Sequence, residues 1–258
     1  MSDETCSSPT SSRVGSLQLA PDEVHCWCAD LDVSPETLAR LDATLTPDEH
    51  TRSARLRFSR DRRHFVVAHG VLRDLLARCL EIQPDRIRYA YNRFGKPELG
   101  PEFGGRLKFN LSHSAGLALI AIAAESNIGV DLEHIREQPD YVEIARRFFS
   151  AGEVAQLSAL SSHRYAEAFL GCWTKHEACL KAFGGGLAMP LNGPAVPMTT
   201  DPARAPADLQ ATSSDIVRAA RWSVYTLRPA PGYIGALVIE GNGWRLAQRQ
   251  WDTSMLRA

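Results

Sequence analysis

Ile128-Gly129-Val130-Asp131-Leu132-Glu133 is the stretch whose reading decides the fold. Its apolar residues 128, 130 and 132 alternate with Asp131 and Glu133, the two-residue period of a strand with one buried face. The strand is anchored through one side and shows two carboxylates on the other. About forty residues on, Cys172-Trp173-Thr174-Lys175-His176-Glu177-Ala178-Cys179-Leu180-Lys181 reads as helix. A spacing of four stacks Glu177 above Lys181 on one face. Phe169, Leu170, Trp173, Ala178, Leu180 and Phe183 make this helix apolar around them, so the pair sits at the edge of a packing face. Three carboxylates that can converge, with an ammonium beside them, suit a hard divalent cation and a phosphate ester. They point to Mg²⁺-dependent phosphoryl chemistry. Each piece also has a plain reading: charges at strand ends are usually solvated, and i,i+4 ion pairs decorate exposed helices for about 0.3–0.5 kcal/mol.

Upstream of this stretch, Glu23 to Leu31 alternates as a first strand. Thr46-Pro47-Asp48-Glu49 has the form of a capping box, and Arg60 to Leu80 carries an amphipathic stripe through Phe65, Val66, Val71, Leu72, Leu75, Leu76 and Leu80. Arg86 to Tyr91 reads as a short strand and Phe94-Gly95-Lys96-Pro97 as a turn. Leu107 to Leu111 and Leu117 to Ala124 read as an antiparallel pair around Ser112-His113-Ser114. Downstream, helices are expected near Tyr141 to Phe149, from a Ser150/Glu153 capping box to about Leu160, and over Arg164 to Phe183, ending at Gly184-Gly185-Gly186. Residues 190–215 read as loop, and strands Trp222 to Leu227, Tyr233 to Glu240 and Trp244 to Trp251 close the chain. The pattern is α+β and repeats: a leading strand, helices, then antiparallel strands, with its boundary near residue 125. The expected organisation is a disordered tail over 1–17, an N-terminal half over 18–125 and a C-terminal half over 126–258. The carboxylates fall just past that boundary, so a cleft between the halves is the expected active site.

The chain has 258 residues, 44% hydrophobic and 23% charged, with a formal net charge of −1. That balance argues against a long nucleic acid as partner. The longest apolar stretch, Leu117 to Ala124, is too short to span a bilayer, and residues 2–16, rich in Ser and Thr, lack the apolar core of a signal peptide. The six cysteines form no CxxC pair, and a reducing cytoplasm is the expected compartment. The only lysines are Lys96, Lys108, Lys175 and Lys181, and three of the four fall in segments with chemical character. Lys96 reads as a cation on a rigid turn, suited to a nucleotide or phosphate. Ser112-His113-Ser114 reads either as a hairpin entry with local hydroxyl bonds or as a phosphate-binding cluster.

In this order, Phe94-Gly95-Lys96-Pro97, Phe109 to Ser114, Ile128 to Glu133, Arg147-Phe148-Phe149-Ser150 and Trp173 to Lys181 followed by Gly186-Leu187 resemble the Sfp-type 4′-phosphopantetheinyl transferases. The resemblance runs from about residue 45 to 240. It implies an α+β monomer of two pseudo-twofold halves, coenzyme A bound between them, and transfer of the phosphopantetheine arm to a serine of an apo acyl or peptidyl carrier protein. Adenosine 3′,5′-bisphosphate would leave. The family pattern gives Asp131, Glu133 and Glu177 to Mg²⁺, and makes Glu177 the general base. It sets Lys181 against the bridging phosphate oxygen, Ser112 and His113 against coenzyme A phosphates, and Lys96 and Pro97 on the adenine side. Glu153 matches an acidic position of the second half. Arg52, Arg55, Arg63 or His64 would serve the 3′-phosphate, Arg52 and Arg63 being the preferred pair. Two departures stand out: His176 replaces the lysine usual before the metal-binding glutamate, with Lys175 one place early, and Glu49 stands where a basic residue is common. Carriers of polyketide or nonribosomal-peptide synthesis are the expected acceptors. The loop with Leu187 and Met189 is a candidate carrier contact. A nucleotide-diphosphate hydrolase would use the same carboxylates with water, and a catalytically silent coenzyme A binder is the rival from another class.

Overall fold

The computed structural model of the protein describes residues 17–185, 196, 198, 207–208 and 221–256. The expected tail up to Ser16 and the loop with Gly186, Leu187 and Met189 lie outside the described residues, as does most of the expected loop 190–215. Strand alternation builds two sheets. β1 (Glu23–Asp30), β4 (Leu107–Ser114), β5 (Leu117–Ala124) and β10 (Arg245–Trp251) form the first, ordered β10-β1-β5-β4. β6 (Ile128–His134), β7 (Ala207–Asp208), β8 (Trp222–Leu227) and β9 (Tyr233–Glu240) form the second, ordered β6-β9-β8-β7. β2 (Tyr89–Tyr91) and β3 (Pro97–Leu99) pair separately. Helices α1 (Pro35–Asp42), α2 (Pro47–Ala54) and α3 (Ser59–Leu80) belong to the first half of the chain, and α4 (Tyr141–Phe148), α5 (Ala151–Ser158) and α6 (Ser162–Phe183) to the second.

The alternation also sets the layers. In β5, Ala118, Ile120 and Ile122 pack under Val71, Leu72 and Leu75 of α3, while Leu117, Leu119, Ala121 and Ala123 face Ile128, Val130 and Leu132 of β6. In β9, Ile234, Ala236 and Val238 pack under Phe169, Cys172 and Cys179 of α6, while Leu237 and Ile239 face the first sheet. The order is therefore α3, first sheet, second sheet, α6. Ile128, Val130 and Leu132 are each at most 1% exposed. At roughly 1.5–3 kcal/mol per buried aliphatic side chain, they secure β6 against the cost of carrying acidic groups on its other face.

The helices and antiparallel sheets make the expected α+β class, and both capping boxes form as read: Thr46 with Glu49 on α2, Ser150 with Glu153 on α5. Three details differ. β4 runs through Ser112-His113-Ser114, because the reversal falls on Ala115 (φ 46°) and Gly116 (φ 102°), a two-residue hairpin loop with both residues left-handed. An additional helix, α1, starts at Ser34, whose side chain accepts from the Thr37 N–H, with Pro35 in the first turn. Finally β10, read in the sequence as one of the strands that close the chain, pairs in parallel with β1. Trp251 enters the first core and its Nε1 donates to Asp74 Oδ2 at 3.1 Å, while Arg245 forks onto Asp22 at 2.8 and 3.0 Å. Residues 245–251 thus extend the sheet of the first half.

Candidate active site

The site exists because β6 and α6 touch backbone to backbone. A Cβ on Gly129 would lie 2.1 Å from Ala178 O and 2.4 Å from Ala182 N, so only glycine admits the helix this closely. Two residues along the same face, Asp131 Oδ1 accepts from Lys181 Nζ at 2.7 Å. The strand period and the helix turn, read separately in the sequence, meet here.

Alternate residues of β4 fasten the two halves along this line. Asn110 Oδ1 accepts from the Val130 N–H at 2.8 Å. Ser112 Oγ donates to Asp131 Oδ1 at 2.8 Å and accepts from Lys181 Nζ at 3.1 Å. Ser114 Oγ donates to Glu133 Oε2 at 2.9 Å and accepts from the His134 N–H at 3.3 Å. Ser112 was legible in the sequence, but here it orients Asp131 and Lys181. Ser114 was read within the same Ser-His-Ser cluster, but its bond to Glu133 was not, and Asn110 was given no role, although a two-residue period extended from Ser112 reaches both.

Asp131 is 6% exposed, and its Oδ2 is buried with no hydrogen-bond donor among the described residues. Burial raises the pKa of Glu177, Asp131's charge raises it further, and Lys181 opposes both. Glu133 is raised by the same two causes, against a hydrogen bond from Ser114. No described residue donates a hydrogen bond to the Glu177 carboxylate. An orphaned buried oxygen and two carboxylates that repel a third fit a hard divalent cation, for which oxygen donors are the preferred ligands.

Among the described residues, the group whose acidic, histidine or cysteine ligand atoms all lie within 4.8 Å of one another is a different one: Glu153, Cys172 and His176, all buried. Thiol and imidazole donors do not suit Mg²⁺, and Glu153 is already committed. Its Oε2 accepts from the Ser150 N–H and Oγ, and its Oε1 pairs with His176 Nε2 at 3.1 Å and accepts from the Val196 N–H at 3.1 Å. The three candidate metal carboxylates are spread more widely than that group. The His176 ring stacks on Phe149 at 5.1 Å between centroids, so the residue just before Glu177 turns into the core. Lys175 is 1% exposed and burial holds its pKa down at about 8.

A cleft of about 470 Å³ is lined by Leu56, Arg60, His64, His113, Ser114, His134 and Arg136 among others, and it adjoins the carboxylates through Ser114, whose hydroxyl bonds Glu133. His113 is exposed, and partial desolvation, then the positive fields of His69, Lys181 and His64, lower its pKa. Lys96 lies at the far end of β6, its Nζ donating to Ile128 O at 3.0 Å, with burial drawing its pKa to about 8. Asn92 Nδ2 donates to Gly184 O at 2.9 Å, so this loop clamps the start of β6 and the end of α6. Pro97 opens β3. Arg52 donates to Tyr91 Oη at 3.1 Å and lies over the Phe65 and Tyr91 rings, whereas Arg63 is exposed on α3 and does not line the cleft. Glu49 is buried and serves structure: Arg73 bonds it at 2.9 and 2.7 Å, and His69 lies at 3.4 Å.

Comparison with known proteins identifies the family. Residues 127–234 match the model of the 4′-phosphopantetheinyl transferase superfamily, and residues 32–127 match that of the 4′-phosphopantetheinyl transferase N-terminal region. The chain is 37% identical to 4′-phosphopantetheinyl transferase HetI of Nostoc sp. over 89% of its own length and 92% of that protein's. It is 27% identical to 4′-phosphopantetheinyl transferase Sfp of Bacillus subtilis, over 67% of this chain and 75% of that one.

Proposed function

The chain belongs to the 4′-phosphopantetheinyl transferase superfamily, and on that footing we propose that it moves the phosphopantetheine arm of coenzyme A to a serine of an apo carrier protein, with Mg²⁺. The observation that supports the reading is the bond from Lys181 to Asp131, with Glu133 and Glu177 close enough that the charge of Asp131 raises the proton affinity of both. Asp131, Glu133 and Glu177 would hold the cation, which when bound offsets the pyrophosphate's negative charge and orients it.

Glu177, without a donor among the described residues and with its proton affinity raised by burial, accepts the proton of the serine hydroxyl. The serine oxygen forms a bond to the β-phosphorus, and the bond from that phosphorus to the oxygen it shares with the nucleotide breaks. Lys181 stabilises the charge developing on that oxygen, and adenosine 3′,5′-bisphosphate leaves. Ser112 keeps Asp131 and Lys181 in register throughout. Positioning and electrostatics supply most of the effect, as in other phosphoryl transfers.

Incubating the protein with coenzyme A, Mg²⁺ and a panel of apo carriers, read by intact mass, tests this. The expected outcome is one added phosphopantetheine on at least one carrier, abolished by mutating the carrier serine to alanine. Release of phosphopantetheine into solution with every carrier unmodified would sink the transferase reading in favour of a hydrolase.

A further inference from the structure

Residues 52–63 carry six arginines against a single aspartate, in a chain whose formal net charge is −1. At their centre Phe58 is 60% exposed, the most exposed large hydrophobic among the described residues. It occupies the N-cap of α3 and makes no side-chain cap bond there. Ser, Thr, Asp or Asn would satisfy first-turn N–H groups at that position, so the chain has put an aromatic in water where a polar residue would serve the helix better. The surroundings of the ring are organised. The Arg57 guanidinium lies over it at 5.3 Å, and Arg62 donates to Arg57 O at 3.2 Å. Arg55, Arg57 and Arg62 are all exposed.

The ridge is continuous with the cleft. Leu56, two residues before Phe58, and Arg60 and Asp61 just after it line the cavity whose base holds Ser114, bonded to Glu133. Phe58 is therefore an exposed ring in a segment whose chain neighbours on both sides line the cleft. An exposed aromatic capped by one arginine, in a segment that carries five more, combines an apolar anchor with a field that draws an acidic surface.

We propose that the Arg55–Arg57–Phe58–Arg62 ridge is the docking surface for the acidic face of the carrier protein whose serine enters the cleft. This rests on the transferase reading above. Phe58 would bury itself against an apolar spot on the carrier while the arginines steer and orient the encounter.

Two variants test it. Phe58→Ser removes the anchor and restores a helix cap, so it should unfold no more easily than the wild type. Arg57→Glu reverses one charge of the ridge. For each we expect the KM for the carrier to rise on the order of 10- to 30-fold, with kcat at saturating carrier and coenzyme A affinity unchanged. Replacing a carrier surface acid by lysine should recover part of the Arg57→Glu loss. Unchanged carrier KM in both variants, beside a wild type that transfers, overturns the docking surface alone. Coenzyme A affinity falling in step with carrier KM also overturns it and assigns the ridge to the nucleotide. A wild type that modifies no carrier overturns the transferase reading and the docking surface with it.

Discussion

The two 22-residue helices, α3 and α6, repeat one construction and put it to different uses. Each follows a short helix opened by a capping box, and in each case the box glutamate reaches the long helix: Glu49 to Arg73 and His69 on α3, Glu153 to His176 on α6. Arg73 stands as far into α3 as His176 does into α6. The next residue is acidic in both, and four further on comes a cation: Asp74 with Arg78, Glu177 with Lys181. In the first half this pair closes on itself, Arg78 Nε to Asp74 Oδ2 at 3.0 Å, and Trp251 Nε1 donates to the same oxygen at 3.1 Å. In the second half the neighbours are Asp131 and Glu133 instead of an indole, so one ammonium faces three carboxylates. Satisfied charge gives structure; surplus negative charge leaves donor oxygens that fit a hard cation.

The largest effect should come from Glu177→Gln, which we expect to slow transfer by about 10²–10⁴-fold with thermal unfolding unchanged. Near-normal turnover by intact mass, with Mg²⁺ present, would remove the catalytic side of the comparison. Asp74→Asn should do the converse. It leaves turnover per folded molecule intact and destabilises the chain by about 3–5 kcal/mol in denaturant melts, because the buried carboxylate bonded by both Arg78 and Trp251 loses its charge. Turnover lost without loss of stability would mean that the first-half pair also acts in chemistry.

The smallest effect concerns acid. Burial alone would raise the pKa of Glu49, but hydrogen bonds from His69 and Arg73 and from the Thr46 N–H outweigh it and leave it at about 2, below the ordinary 4.5. A depressed folded-state pKa means that its stabilisation is complete above about pH 4.5 and drains away as the pH falls toward 2. Glu49→Gln should therefore flatten the acid limb of a stability-against-pH curve over that window. An unchanged limb would show that the pair carries no such linkage.

How much of this was legible depended on distance along the chain. Both capping boxes could be read, since their partners are three residues apart. What Glu49 and Glu153 hold could not: Arg73 and His176 lie more than twenty residues on, and which way a helix turns its faces is settled by packing. Glu49 therefore read as a missing base and His176 as a broken motif, and both prove to be parts of buried pairs. Ser112-His113-Ser114 had the composition of a turn, yet the positive φ values of Ala115 and Gly116 placed the reversal one step later. That carried Ser114 onto Glu133. β10 was readable as a strand but not as a partner of β1, because alternation specifies a strand's faces and leaves its edges open.

The sequence by itself determined the α+β class, the boundaries of most elements and which acidic and cationic groups, Asp131, Glu133, Glu177 and Lys181, could serve a cation and a phosphate. Those follow from short-range periods, caps and residue types. Only the tertiary structure decided that Gly129 brings α6 onto β6, that Asn110, Ser112 and Ser114 join the halves, and that one acid–cation pair is sealed while its counterpart is open. The reason is physical: a carboxylate's role depends on which charges and donors packing places around it, and that neighbourhood is drawn from segments far apart in the chain.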